Sequence, residues 1–223
     1  MRAPSHDFRD RVREVFEALG LPLTPRHACG ERAIDAAENR LGIVVPAVLR
    51  AFYRVAGRHD AINRAHNRLW PPGEWQIDSG RLAFMEENQN VVFWGVPVGP
   101  AATEDDPDVW QAENGDALTW EPEAVKLSEF LLAMLCWQAV MGGLPRTRAA
   151  VVGKRFPSKL GRSFRRVGQI GSLEAFASAG TALCFARTGE AEWRLFAAAH
   201  DARVLDRLAK RLSLRWDPHF EAT

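Results

Sequence analysis

An α+β fold is the architecture that this sequence predicts, and three features predict it. Apolar residues recur at helical spacing near both ends and in the middle of the chain. Between them lie short apolar runs set off by turn-forming residues. The two kinds of segment do not alternate in the regular order that builds a parallel sheet. A chain of 223 residues buries a real core without staples. The expectation is one domain over residues 1–223, an antiparallel meander sheet packed with N-terminal and C-terminal helices.

The elements follow in order. Phe8, Val12, Val15, Phe16 and Leu19 share one helical face, and Gly20 and Pro22 stop that helix. Residues 24–30 read as a linker. Ile34, Ala37, Glu38 and Leu41 suit a second helix closed by Gly42. Pro46 is placed for a first helical turn, and Val45, Val48, Leu49, Phe52 and Val55 form the stripe behind it, ending near Gly57. Residues 58–73 read as a loop, with Pro71-Pro72-Gly73 as a firm breaker. Two strands, 82–85 and 91–96, are joined through 86–90. A hairpin of 109–112 and 117–120 turns on Asn114-Gly115, which sets Val109 against Trp120 and Gln111 against Leu118.

The strongest helix spans 127–141. Ser128 is placed to cap it, Leu127, Phe130, Leu131, Met134, Leu135 and Met141 line one face, and Gly142-Gly143 ends it. Residues 146–166 are basic and without clear period. A hairpin of 181–186 and 192–197 crosses Thr188-Gly189. Asp201 caps a last helix bearing Val204, Leu205, Leu208 and Leu212, and Trp216 follows as an anchor. Phe52, Leu131 and Leu135 sit mid-stripe and are predicted to be nearly fully buried.

Composition narrows the function classes. Hydrophobic content of 47% and charged content of 26% are those of an ordinary globular chain, and a formal net charge of +1 gives no global pull towards nucleic acid or membrane. Cys29, Cys136 and Cys184 are an odd, scattered set, so three free thiols and no disulfide are expected. The N-terminus lacks the apolar run of a secretory signal, and the longest apolar segment, 130–144, is too short to span a bilayer and contains Gln138. A reduced, cytoplasmic protein is expected.

The sequence carries no G-x-S-x-G, H-E-x-x-H or C-x-x-C motif. Val151-Val152-Gly153-Lys154 lacks the first glycine and the following Ser or Thr of a phosphate loop. Glu86 and Glu87, as adjacent strand residues, point to opposite faces and cannot work as an acid/base pair. His59 and His66, with Asp60 and Asn63 nearby, lack the spacing of a zinc site and read as surface histidines. No catalytic residue, metal or cofactor is expected.

Charge is unevenly distributed along the chain. Between residues 104 and 123 stand eight acids (Glu104, Asp105, Asp106, Asp108, Glu113, Asp116, Glu121, Glu123) and no base. Between 146 and 166 stand eight bases (Arg146, Arg148, Lys154, Arg155, Lys159, Arg162, Arg165, Arg166) and no acid. The acidic block can dock a basic partner and speed the encounter. On the sequence alone the favoured reading is that it is neutralised by the basic block or simply solvated. The basic block carries only Phe156 and Phe164 as aromatics, so a stacking platform for nucleic acid is not expected. Eight tryptophans are many for this length. Trp120, Trp137 and Trp193 fall in periodic elements and read as core. Trp70, Trp75, Trp94 and Trp110 fall in or beside loops, where partly exposed tryptophans can anchor an interface, but core or half-core is the favoured reading for each.

The order of elements over residues 31–135 resembles the SMI1/KNR4 (SUKH) superfamily. The residues that carry the resemblance are Ala37-Glu38, Leu41-Gly42, Val45-Pro46, Leu49, Phe52-Tyr53 and Gly57, then Leu82, Phe84, Glu87 and Asn88. Asn67 and Trp70 lie in the loop between the two groups. The resemblance implies a family-like core over about 31–141, with residues 143–223 as a C-terminal extension. It further implies a non-catalytic protein-binding role, often immunity against a toxin. Glu104, Asp105, Asp106, Asp108, Trp70, Trp75 and Trp110 are the candidate partner-binding residues, and a basic bacterial toxin domain is the candidate partner. A regulatory adaptor of the same fold without a toxin partner is the alternative, and an enzyme whose site forms only in three dimensions is a third.

Overall fold

The computed structural model describes residues 4–100, 102–115, 117–160 and 163–220, so Asp116 and Arg162 of the two charge blocks lie outside the described residues. The N-terminal periodicity becomes helix α1 (Pro4–Ala18), which buries Phe8, Val12, Val15 and Phe16 against the third helix. Helix α2 (Glu31–Leu41) ends on Gly42 at φ 67°, the left-handed cap that glycine adopts without a Cβ penalty. Helix α3 (Ala47–Ala56) starts from Pro46. Arg50 of α3 fastens it to α2 through Glu31, Glu38 and Asp35, the last at 3.0 Å. Glu38 also accepts the Val45 N–H at 2.8 Å, which fixes the α2–α3 link. A single short turn, α4 (Asp60–Asn63), follows.

The next strands form an antiparallel six-stranded sheet. They are β1 (Arg68–Leu69), β2 (Gln76–Asp78), β3 (Arg81–Glu86), β4 (Val92–Pro97), β5 (Asp108–Glu113) and β6 (Thr119–Lys126). The order is β1-β3-β4-β5-β6, with β2 pairing the start of β3. Helix α5 (Leu127–Gln138) leaves β6 directly and is buried all round except at Glu129 and Trp137. A helix apolar on every side belongs inside a core. Phe130 meets the rings of Phe84 and Trp94 on the first sheet, with centroids at 6.0 and 5.8 Å.

One wide, π-type turn (Ala139–Gly143) ends α5. A second antiparallel sheet of five strands follows: β7 (Arg146–Val152), β8 (Arg165–Ile170), β9 (Leu173–Ser178), β10 (Thr181–Arg187) and β11 (Trp193–Ala199), in the order β7-β11-β10-β9-β8. Ala175, Ala182, Cys184 and Phe196 share the core that holds α1, α3 and α5. Leu183, Phe185 and Leu195 face the other way, into a second core closed by α6 (Ala202–Leu212) and by Phe156, Leu160 and Phe164. The extension therefore closes α5 between two sheets and adds a helical layer outside the second.

The α+β class and the antiparallel pairing agree with expectation, and Phe52, Leu131 and Leu135 are each 2% exposed. The three cysteines are free and buried. No helix of the described residues is long and apolar enough to cross a membrane. Asp201 caps α6 through the Arg203 N–H at 2.9 Å, as predicted.

Several expectations need correction. Asn114-Gly115 is not a two-residue turn. Glu113 pairs with Thr119 and Ala112 with Trp120, so five residues connect the strands. Asn114 instead binds the neighbouring turn, its side chain donating to Asn90 O and its N–H to Val91 O, both at 2.8 Å. The basic segment contains strand β7, and the tight β8–β9 hairpin turning at Gly171 was not foreseen. Ser128 lies inside the first turn of α5 rather than at its cap.

The loop tryptophans follow the core or half-core expectation, and the three expected in the core are the less buried ones. Trp70, Trp75 and Trp94 are 6%, 0% and 8% exposed, whereas Trp120, Trp137 and Trp193 are half-buried. Tyr53 explains two of them: its hydroxyl donates to Trp70 O, and Trp75 Nε1 donates to the same hydroxyl at 3.2 Å. That knot holds the loop against α3. A buried amide does the same for the start of β1. The side chain of Gln138 accepts the Asn67 N–H at 2.8 Å and donates to Asn67 O. His59 is not a surface residue but 7% exposed, packed between the rings of Phe16 and His27 at 4.8 and 4.5 Å.

The buried imidazole carries a pH consequence. Burial, with His27 beside it, holds His59 below its ordinary value of 6.5. The unfolded chain therefore binds a proton more readily, and stability falls as pH drops below about 6.5 towards the depressed folded value. Urea unfolding at about pH 7.5 and about pH 5 should show this loss in the wild type and a smaller loss in His59→Phe. Equal losses in the two proteins would remove His59 from the account.

Candidate functional site

The outer face of the first sheet gathers side chains from four strands around a glycine on a fifth. Gly95 on β4 stands between Ala83 on β3 and Trp110 on β5, and Trp110 pairs with Pro122 on the edge strand β6. A proline there removes a donor from the open edge. The missing side chain of Gly95 makes room for Trp120: a methyl at Gly95 would lie 2.8 Å from Trp120 Cη2. Trp120 thus reaches across the sheet, and its Nε1 donates to Asp78 Oδ2 on β2 at 2.7 Å. Arg81 lies over the Trp110 ring at 3.9 Å and 6.0 Å from the Trp120 ring. Half-buried Trp and Arg side chains held in one orientation are the composition of an interface centre.

The acidic loop before β5 borders this face. Glu104, Asp105 and Asp108 are exposed. A cleft of about 420 Å³ runs beside Trp110, walled by Pro97, Val98 and Pro107, with Glu104 and Asp108 at its mouth. Lys126 Nζ stands 3.1 Å from both carboxylates. Glu113 and Glu121 are exposed further along the same hairpin. None of the described ion pairs joins the acidic block to the basic block; Arg165 pairs instead with Glu14 on α1. The two blocks do not neutralise each other by direct contact among the described residues.

The seven candidate residues therefore separate into three groups. Glu104, Asp108 and Trp110 line one cleft, and Asp105 is exposed in the loop next to Glu104. Trp70 and Trp75 are core residues and present no face to a partner. Asp106 serves the fold: its carboxylate accepts the Ser128 N–H at 2.8 Å and the Ser128 hydroxyl at 2.7 Å, capping α5 from a loop 22 residues away. Asp106→Ala should cost about 1–2 kcal/mol of stability, the worth of a helix cap. An unchanged urea midpoint would show the cap to be dispensable. Arg81, Trp120 and Asp78 were missed, because the shorter turn expected at Asn114-Gly115 set Trp120 against the wrong partner.

Other groups offer little chemistry. Among the described residues no three His, Cys, Asp or Glu side chains stand together as a metal site. Burial pushes the Cys136 thiol up to about 12 and that of Cys184 up as well, which keeps both protonated and unreactive near neutral pH. Glu86 pairs with Arg68, and the Glu87 carboxylate accepts the Gln89 N–H at 2.8 Å, so neither is poised for proton transfer. Another cleft, about 780 Å³, lies between β7 and α6, where Asp201 is committed to its capping role and His200 Nε2 to Leu19 O at 3.0 Å.

Comparison with models of protein families, with characterised proteins and with solved structures found no match.

Proposed function

We propose that this chain is a non-catalytic protein-binding module of the SUKH kind, an immunity protein that neutralises a basic bacterial toxin domain. The partner docks on the outer face of the first sheet. One observation carries this reading: the Trp110–Arg81–Trp120 layer is bordered by Glu104 and Asp108, and among the described residues no ion pair joins them to the basic block of residues 146–166. A rigid aromatic centre supplies affinity, and a one-sign rim supplies steering and selects a basic partner.

The residues behind the family resemblance support the same reading by holding fold-defining positions. Glu38 joins α2 to α3, Gly42 takes the left-handed cap, and Tyr53 ties the Trp70–Trp75 loop. Leu49, Phe52, Leu82 and Phe84 are buried. Their spacing serves the scaffold, and the docking face is built on strands that the scaffold carries.

Affinity capture with the full chain from its own cells, read by mass spectrometry, tests the proposal. The expected result is one basic protein domain recovered in near-equal amount, toxic when expressed alone and harmless when co-expressed with this chain. Recovery of no such domain, or growth arrest unrelieved by co-expression, would remove the immunity reading.

A further inference from the structure

The cleft beside Trp110 combines two chemistries that seldom suit the same ligand. Its walls are apolar, from Pro97, Val98, Pro107 and the indole, while Glu104 and Asp108 stand at its mouth. An aliphatic stem that ends in a cation satisfies both parts, with the stem along the walls and the charge on the carboxylates. Each charged or aromatic group here already accepts a cation of its own chain: Lys126 Nζ lies 3.1 Å from both carboxylates, and the Arg81 guanidinium covers one face of Trp110 at 3.9 Å. At the mouth, two carboxylates share the single exposed ammonium of Lys126, while the Arg81 charge sits over the indole rather than on the carboxylates.

We propose that this cleft receives a single arginine side chain of the protein partner, with Lys126 swinging out to water. Arginine fits better than lysine, because a planar fork can meet two carboxylates at once and lie flat against an indole, and it loses less hydration on entry. This rests on the protein-binding reading above and adds the residue that the partner presents.

The test titrates the full chain with Nα-acetyl-arginine amide, Nα-acetyl-lysine amide and the uncharged Nα-acetyl-citrulline amide, following the indole and amide resonances by NMR. Arginine amide should shift the Trp110 indole N–H and the amides around the cleft in a saturable way, lysine amide more weakly, and citrulline amide not at all. Glu104→Gln with Asp108→Asn should raise the arginine dissociation constant about tenfold or more, as expected when a cation loses its counter-charge. Equal shifts from citrulline and arginine, shifts that map elsewhere, no shift, or an unaltered titration of the double variant would each overturn the proposal. The two readings fail separately. A captured partner that binds the double variant with full affinity sinks the arginine pocket and leaves the docking face. Arginine occupancy of the cleft without any captured partner keeps the pocket and sinks the immunity reading.

Discussion

Phe130→Ala is expected to destabilise the protein by about 3–5 kcal/mol, the cost of emptying a large, fully enclosed aromatic site. Phe130 is 0% exposed and sits about one turn into α5, with its ring against Phe84 and Trp94. Both neighbours are pinned in strands of the first sheet, so they cannot collapse into the space without breaking ladder hydrogen bonds. The melting temperature should fall by about 10 °C or more, at roughly 2–4 °C per kcal/mol for a chain of this size. Val44→Ala, at a site 82% exposed, is the control and should leave it almost unchanged. A Phe130→Ala protein that melts with the wild type would mean that α5 does not bridge the sheets.

Gly168→Ala is the second large effect, from the opposite side of the same helix. A methyl there would lie 2.6 Å from Glu129 O and 2.7 Å from Ala133 N. These are backbone atoms of a buried helix and no side-chain rotation relieves them, so β8 must separate from α5. The cost should reach about 3 kcal/mol, the upper part of the range for overpacking. Gly153 has nothing within 4 Å of an added methyl, and Gly153→Ala should be neutral or slightly stabilising. Equal denaturant midpoints for the two variants would show that strand and helix do not touch at Gly168.

The contrast between these two residues shows how much of the fold is readable in the sequence. Phe130 belongs to a helical stripe, and stripes report which face of a segment is buried. The same holds for Phe52, Leu131 and Leu135 and for the apolar face of α6. Gly168 carries no such mark, since the need for a missing side chain arises only when β8 meets a helix more than thirty residues earlier in the chain. Strand β7 was hidden for a related reason. Its two arginines are exposed while the adjacent Ala149 and Ala150, on opposite faces, are both buried, so no alternation marks the strand and alanine gives a weak apolar signal.

The site was legible in part. The run of acids marks a charged loop, but only the fold separates Asp106, spent on Ser128, from Asp105 and Asp108, which face water. Trp75 and Trp110 look alike in loop-rich sequence. Tyr53 beneath one and Arg81 above the other decide that the first is core and the second is surface. The outer-face layer also depends on register: moving the β5–β6 pairing would place Trp120 away from Gly95 and Asp78.

The central claim is that a basic partner is steered to the rim of Asp105 and Asp108. Association kinetics with the captured partner, for the wild type and for Asp105→Lys with Asp108→Lys over a range of salt, test it most directly. Asp106 is left intact so that helix α5 keeps its cap, and the exposed ion pair lost at Asp108 is worth at most about 1 kcal/mol. The account predicts a wild-type association rate that falls steeply with salt, and a double variant slower by about tenfold or more at low salt with its melting temperature nearly unchanged. Equal association rates for the two proteins, with equal salt dependence, would contradict it.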